Sequence, residues 1–233
     1  MELKKIGVVG AGTMGNGISQ VLSVAGLEVV MTDVAAAQLE RASATISGSL
    51  ERLIKKEKMT AAEKTAVMGR IKSTTDIGAI SDCDLVIEAA TENLELKLKI
   101  FAQIDKTARK EAVIATNTSS ISITRLAAST ARPDQVIGMH FFNPVAMMAL
   151  VELIRGLQTS DATFAAVEAL AKTVGKTPVQ VRNSPGFVVN RMLCPMINEA
   201  IFALQEGLAS AEDIDTGMKL GCNQPIGPLA LAD

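Results

Sequence analysis

Short apolar runs alternate with longer amphipathic stretches through the first half of the chain. The runs carry Val, Ile and Leu on successive positions, as in strands that helices cover on both faces. They predict strands at residues 6–9, 28–32, 85–88, 113–115 and 136–139. The amphipathic stretches predict helices at residues 13–25, 35–56 and 94–108. Thr60 and Glu63 form a capping box that opens a shorter helix. This alternation predicts a doubly wound α/β fold with a mostly parallel sheet.

The pattern changes after Asn143-Pro144. A strand-like run at 149–154, a helix at 161–174 and a strand at 178–181 follow. Turn-forming residues at 183–186 then mark a domain boundary. Beyond them, apolar side chains from Val188 to Leu208 recur at helical spacing. We therefore predict a first domain at 1–183 and a smaller all-helical domain at 184–233. Because the chain ends on an apolar run, we expect the second domain to be truncated.

Composition narrows the setting of the protein. The 233 residues carry a net charge of −2, which gives no electrostatic reason to expect binding to nucleic acid or to an anionic membrane. The longest apolar runs fall far short of the roughly 20 residues that a membrane helix needs. Cys83, Cys194 and Cys222 are odd in number and far apart, which indicates free thiols in a reducing compartment. We expect a cytoplasmic protein.

Two residue counts exclude whole classes of catalytic site. The chain has no Tyr, so a tyrosine–lysine catalytic pair is impossible. It has 1 His, so any metal site that needs two or three histidines is excluded, and no metal is predicted. If acid–base chemistry near neutral pH requires an imidazole, that imidazole belongs to His140.

A glycine-rich segment follows the first predicted strand and opens the first helix. It reads Gly10-Ala11-Gly12-Thr13-Met14-Gly15. In this strand–turn–helix setting, Gly10 permits a tight turn, Gly12 lets the backbone approach a pyrophosphate, and Gly15 lets helix and strand pack closely.

Asp33 provides the carboxylate that a dinucleotide-binding glycine motif requires after the second strand. Asp33 ends the second predicted strand, 21 residues after Gly12, where it can bind a ribose diol and repel the 2′-phosphate of NADP. The motif therefore predicts NAD. The alternative is a glycine-rich turn followed by a helix-capping Asp.

His140 ends a predicted strand, and Glu152 lies on the run after the Asn143-Pro144 turn. A hairpin-like return would place the carboxylate beside the imidazole, which is the geometry of a general base. By spacing alone, a hydrogen-bonded core histidine is the more common outcome.

Ser119 follows the predicted strand at 113–115, where it can donate a hydrogen bond to a substrate oxygen. The alternative is that a residue of the 117–120 segment caps the next helix.

Several segments, in this order along the chain, resemble the L-3-hydroxyacyl-CoA dehydrogenases, and in particular the bacterial 3-hydroxybutyryl-CoA dehydrogenases. The resemblance runs from Lys5 to Asp233, in the segments GAGTMGNGI, VIEAATEN, NTSS, GMHFFNPV, LVELIRG and NSPGFVVNR. It implies a Rossmann-type NAD-binding domain and a helical domain for substrate and dimer contacts. The implied reaction is the reversible oxidation of a short-chain (3S)-3-hydroxyacyl-CoA to the 3-oxoacyl-CoA, in fatty acid or butanoate metabolism.

The resemblance also implies roles for individual residues. His140 would be the general base with Glu152 as its partner, and Ser119 and Asn190 would contact the substrate oxygen. The implied cofactor contacts are Asp33, Glu92, Lys97, Ser119 and Asn143. Ser49 and Lys56 would bind the coenzyme A moiety, although cations near a helix end are also common on solvated surfaces.

Two alternatives stay open at the level of sequence. A 3-hydroxyisobutyrate-type dehydrogenase shares the glycine-rich start but uses a lysine base, and HFFNP replaces the glycine-rich segment expected before that lysine. The other alternative is a non-catalytic NAD-binding scaffold of the same family, which can retain the catalytic residues.

Overall fold

A computed structural model describes residues 3–233 and divides the chain into two compact units between Pro185 and Gly186. Within the described residues, eight strands of the first unit form one sheet in the order β3-β2-β1-β4-β5-β6-β7-β8. The strands are β1 Lys5–Val9, β2 Glu28–Thr32, β3 Ile71–Thr74, β4 Leu85–Glu88, β5 Val113–Thr116, β6 Val136–Phe141, β7 Leu150–Arg155 and β8 Thr177–Arg182.

Strands β1 to β6 are parallel and lie in the order 3-2-1-4-5-6, which is typical of Rossmann-type folds. Strand β7 runs antiparallel to β6, and β8 runs parallel to β7. The predicted fold class is therefore confirmed. The sequence pattern missed β3, because this edge strand has no fully buried residue and hence no apolar run.

The helices follow the predicted amphipathic stretches to within about two residues. In the first unit they are α1 Thr13–Val24, α2 Ala36–Lys55, α3 Ala61–Gly69, α4 Leu94–Thr107, α5 Ile123–Ala127 and α6 Asp161–Thr173. Side-chain caps explain several starts. Thr60 and Glu63 form the predicted capping box of α3, and Asn93 and Ser160 cap α4 and α6.

The main core of the first unit lies between the sheet and helices α1 and α6. Ile18 and Leu22 of α1 and Val167 of α6 pack there against the central strands, and all three side chains are fully buried. Because apolar side chains cover the middle of the parallel strands, the polar residues gather where the strands end. That edge is where open α/β sheets bind ligands.

The second unit consists of α7 Val189–Gln205, α8 Ala211–Gly221 and α9 Pro228–Ala232. Ser210 caps α8, and Asp215 accepts hydrogen bonds from the main-chain N–H groups of Leu229 and Ala230 in the first turn of α9. Many of its apolar side chains are exposed, including Met192, Leu208 and Leu220. Among residues 3–233, no helix is both long enough and apolar enough to cross a membrane.

Candidate active site

The glycine-rich segment forms a tight turn between β1 and α1. Gly10 has a φ of 103°, and a Cβ there would lie 2.6 Å from Cα of Ala90. A Cβ on Gly15 would collide with the carbonyl oxygen of Gly10. A Cβ on Gly12 would meet no atom of the described residues within 4 Å, so this position faces open space. Gly10 and Gly15 are thus fixed by packing, whereas Gly12 leaves room for a ligand at the N-terminus of α1.

Helix α1 is suited to bind an anion at this end. Gly12 is its N-cap, its first turn contains no acidic residue, and no side chain of the described part of the protein caps it. The unpaired N–H groups and the positive end of the helix dipole therefore face the open side of the turn.

Asp33 lies beside the same turn. Its Oδ2 accepts a hydrogen bond from the N–H of Ala11 at 2.8 Å, and its Oδ1 accepts one from the N–H of Ala35 at 3.0 Å. Helix α2 has Ala35 as its N-cap residue, so the alternative of a helix-capping Asp is wrong. The carboxylate instead joins the glycine-rich turn to the end of β2.

Two adjoining cavities follow the glycine-rich turn. The first, of about 410 Å³, is lined by Asp33, Leu96 and Ile100, among others. The second, of about 260 Å³, is lined by residues 12–14 together with Glu92 and Asn117, among others. Ala90 and Thr91 border both cavities. A ligand with two ends and a central pyrophosphate, such as NAD, fits this arrangement.

Lys97 is buried rather than solvated, with 1% of its side chain exposed. Its Nζ pairs with Oε2 of Glu88, which also accepts a hydrogen bond from Oγ1 of Thr116 at 2.8 Å. Oε1 of Glu88 accepts a hydrogen bond from the N–H of Ala90 at 2.9 Å. The ion pair of Lys97 and Glu88 therefore fixes the backbone at Ala90, which packs against Gly10. Glu88 was not among the predicted site residues, although a carboxylate that closes an otherwise apolar strand is a visible signal in the sequence.

Glu92 and Ser119 contact each other at the end of β5. Oε1 of Glu92 accepts hydrogen bonds from the N–H of Ser119 at 2.7 Å and from its Oγ at 3.1 Å. Oγ1 of Thr118 donates to the other carboxylate oxygen at 2.6 Å. The side chain that caps α5 belongs to Ser122 and not to residues 117–120, so the capping alternative for that segment is wrong.

His140 and Glu152 face each other on the antiparallel strands β6 and β7. They are direct partners in the register, and Nδ1 of His140 lies 2.8 Å from Oε2 of Glu152. Glu152 is 1% exposed and His140 is 7% exposed. The Phe142 ring packs on the imidazole with a centroid distance of 4.6 Å. The predicted return of the chain therefore brings the carboxylate to one ring nitrogen and fixes the orientation of the ring.

A further cavity, of about 700 Å³, is bordered by α1, α2 and the 143–149 loop that follows β6. Ser49 and Lys56 both line it, together with Arg52, Lys58 and Lys176. The structure thus brings the two residues predicted for coenzyme A into one cavity, beside the loop that leaves His140. Its cationic wall suits an anionic ligand such as a phosphorylated nucleotide.

The remaining predicted site residues are placed as follows. Asn143 is exposed and begins the 143–149 loop. Asn190 lies in the first turn of α7, in the second unit.

Comparison with known proteins identifies the family. A family model described as "3-hydroxyacyl-CoA dehydrogenase, NAD binding domain" matches residues 5–184. The model of the C-terminal domain of the same family matches residues 186–233.

Individual relatives agree with these matches. A 3-hydroxybutyryl-CoA dehydrogenase of Bradyrhizobium diazoefficiens is 51% identical over 99% of this chain and 79% of its own length. One from Clostridioides difficile is 47% identical over 98% of this chain and 82% of its own length. The crystal structure of (S)-3-hydroxybutyryl-CoA dehydrogenase from Ralstonia eutropha is similar with a TM-score of 0.97 and 63% identity. The match covers 99% of this chain and 82% of the Ralstonia eutropha chain. The chain therefore belongs to the 3-hydroxyacyl-CoA dehydrogenase family.

Proposed function

We propose that this protein catalyses the NAD-dependent, reversible oxidation of a short-chain (3S)-3-hydroxyacyl-CoA, with 3-hydroxybutyryl-CoA as the substrate, to the 3-oxoacyl-CoA. The observation that carries the proposal is the buried pair of His140 and Glu152, with 2.8 Å between Nδ1 and Oε2. His140 lies near the end of β6, the strand next to β5, in a chain of this family whose glycine-rich turn fits NAD.

His140 acts as the general base. Nδ1 is held by Glu152, so Nε2 is the ring atom that accepts the hydroxyl proton of the substrate as the carbonyl forms. Glu152 keeps the ring in one orientation and stabilises the imidazolium that results. In the reverse direction Nε2 returns the proton to the carbonyl oxygen.

Ser119 serves as a polar contact of the reacting substrate oxygen. A hydrogen-bond donor aimed at an oxygen that gains charge in the transition state typically lowers the activation barrier by about 3 kcal/mol. The N–H of Ser119 donates to Glu92 and so fixes the backbone of this residue. Its hydroxyl also donates its single proton to Glu92, so it has to turn from that carboxylate to the substrate oxygen to act as the donor.

When bound, NAD supplies the hydride acceptor for the substrate carbon. Gly10, Ala11, Gly12, Thr13, Met14 and Gly15 would hold the pyrophosphate against α1, and Asp33 would bind the adenosine ribose. Glu92, Lys97, Ser119 and Asn143 are proposed at the nicotinamide end. Lys97 acts there through its pair with Glu88, which fixes the wall shared by the two cofactor cavities.

Ser49 and Lys56 are proposed to bind the coenzyme A moiety in the cavity bordered by the 143–149 loop. We also propose that residues 1–183 bind the cofactor and that residues 184–233 contribute to substrate binding and to a homodimer. The exposed apolar side chains of α7 and α8 support the dimer. Three free thiols support a cytoplasmic location.

The test is oxidation of NADH with acetoacetyl-CoA as the substrate. We expect turnover by the native chain and a loss of roughly 1,000-fold or more in His140→Gln, because the base is removed. The affinity for NADH, measured by fluorescence titration, serves as the control and should be unchanged in the variant. Equal rates for the two proteins would refute the assignment of His140. Binding of NADH without turnover by the native chain would favour the non-catalytic scaffold.

A further inference from the structure

Lys176 is a buried lysine that the proposed mechanism does not use. It follows Gly175, which has a φ of 73°, and precedes β8, and only 9% of the residue is exposed. Among residues 3–233 it forms no ion pair with a carboxylate. Burial lowers the pKa of this ammonium below its ordinary value. Keeping a buried ammonium without a carboxylate is costly, so its other contacts need an explanation.

Those contacts are carbonyl groups of a single loop. Nζ of Lys176 donates to the carbonyl oxygen of Val145 at 2.5 Å and to that of Met148 at 2.8 Å. A lysine ammonium has three N–H donors, so one side chain can bind both carbonyls at once. Both carbonyls belong to the 143–149 loop, which connects β6 to β7 and therefore His140 to Glu152.

The rest of this loop has few other anchors. Val145 is buried against α1, where a Cβ on Gly17 would lie 2.9 Å from its Cβ. The N–H groups of Met147 and Met148 both bond to the carbonyl oxygen of Pro144, within the loop itself. The other side chains of the loop are exposed, and Met147 is 80% exposed. At its end the loop is also held by the N–H of Thr177, which donates to the carbonyl oxygen of Ala149 at 2.8 Å. Between Pro144 and Met148, the shape of the loop thus depends on the insertion of Val145 and on the ammonium of Lys176.

The same loop borders the cavity that carries Ser49 and Lys56. Pro144, Ala146 and Met147 line this cavity from the loop side, and Lys176 lines it from the start of β8. Lys176 therefore forms part of the cavity wall and also binds the 143–149 loop that follows His140.

We propose that Lys176 is a positioning residue. It fixes the 143–149 loop as one wall of the acyl-CoA cavity and keeps that wall in a constant position relative to His140. The substrate class in this inference rests on the proposed function. The role is distinct from general stability, because it concerns the shape of one loop and one cavity.

The test compares Lys176→Met with Lys172→Met. Lys172 lies on α6, and its side chain is 61% exposed. Among residues 3–233 Glu168 is its single carboxylate partner, so its loss should be silent. For Lys176→Met we expect the KM for acetoacetyl-CoA to rise by about 10-fold or more, because the cavity wall is no longer held. The Kd for NADH should change by less than about 3-fold, because Asn143 is the single proposed cofactor contact in this loop and residues of other segments line the two cofactor cavities. A role in stability alone would lower the active fraction and leave the KM unchanged.

Hydrogen exchange of the peptide that spans residues 143–149 provides a second readout. It should be faster in Lys176→Met than in the native protein and unchanged in Lys172→Met. If Lys176→Met does not fold, Lys176→Gln, which keeps a single amide donor group, is compared in the same way. An unchanged KM and unchanged exchange in the folded variant would overturn the proposal. Failure of the native chain to turn over would instead refute the proposed function, while the exchange measurement would still decide the role of Lys176.

Discussion

The side-chain oxygen of Asn117 accepts a hydrogen bond of 2.9 Å from the main-chain N–H of Phe141. The regular main-chain pairing of β5 with β6 ends at Thr116 and Gly138. The Asn117 side chain therefore adds one more hydrogen bond between the two strands beyond that point. Asn117 also lines the second cofactor cavity. It therefore ties the residue after His140 to the segment that carries Ser119.

Asn117→Ala should separate these two segments while leaving the fold intact. We expect the unfolding free energy to fall by about 1 kcal/mol, the usual net contribution of one hydrogen bond. The kcat for acetoacetyl-CoA reduction should fall by about 10- to 100-fold, because a small displacement of the base misaligns the reacting atoms. Steady-state kinetics together with urea unfolding would measure both. A variant with native kcat would show that the bond has no bearing on catalysis.

Gly15→Ala should weaken NAD binding. The added Cβ collides with the carbonyl of Gly10, so the turn must move, and overpacking of this kind typically costs about 1–3 kcal/mol. We expect the Kd for NADH to rise by about 10-fold or more. Gly48→Ala is the matched control, because Gly48 also lies inside a helix but its added Cβ would meet no atom of residues 3–233 within 4 Å. Equal affinities in the two variants would contradict the proposed role of the turn.

Lys97→Met should destabilise the protein by about 3–5 kcal/mol, because it leaves the carboxylate of Glu88 buried without a cation. Adding Glu88→Gln to this variant should restore most of the loss. The amide oxygen of the glutamine can still accept the hydrogen bond from Ala90, and no buried charge remains. Chemical denaturation of the single and double variants measures the difference. If the double variant is no more stable than the single one, the buried charge is not the cause.

Cys83 should resist thiol reagents in the native protein. Its side chain is fully buried, and desolvation raises the pKa of the thiol from 9.0 to about 12. Cys194 and Cys222 are exposed. We expect a chromogenic disulfide reagent at pH 8 to modify two thiols in the native state and a third only in denaturant. Rapid reaction of all three thiols in the folded protein would contradict the burial.

The same thiol should make stability depend on alkaline pH. Above pH 9 the unfolded chain loses the Cys83 proton and the folded chain keeps it, so the folded state binds more protons and loses stability as the pH rises. The stability advantage of the native chain over Cys83→Ala should therefore shrink by up to about 1.4 kcal/mol per pH unit between pH 9 and pH 12. A difference that stays constant with pH would rule out this linkage.

The sequence by itself determined most of the α/β architecture and the cofactor turn. Continuous apolar strands, amphipathic helices and the glycine pattern are local signals, each carried by neighbouring residues. The helix starts at Thr60, Ser160 and Ser210 follow the same rule, because a cap needs only the next three residues. Strand β3 escaped detection because an exposed edge strand leaves no apolar pattern.

Only the tertiary structure decided which side chains meet. Spacing alone favours a core histidine at position 140, whereas the antiparallel register of β6 and β7 places Glu152 against its imidazole. The pair of Glu88 and Lys97 and the contact of Lys176 with the 143–149 loop likewise join segments that are separate in sequence. Such contacts depend on strand register and loop shape, which are properties of the packed sheet and not of any single segment.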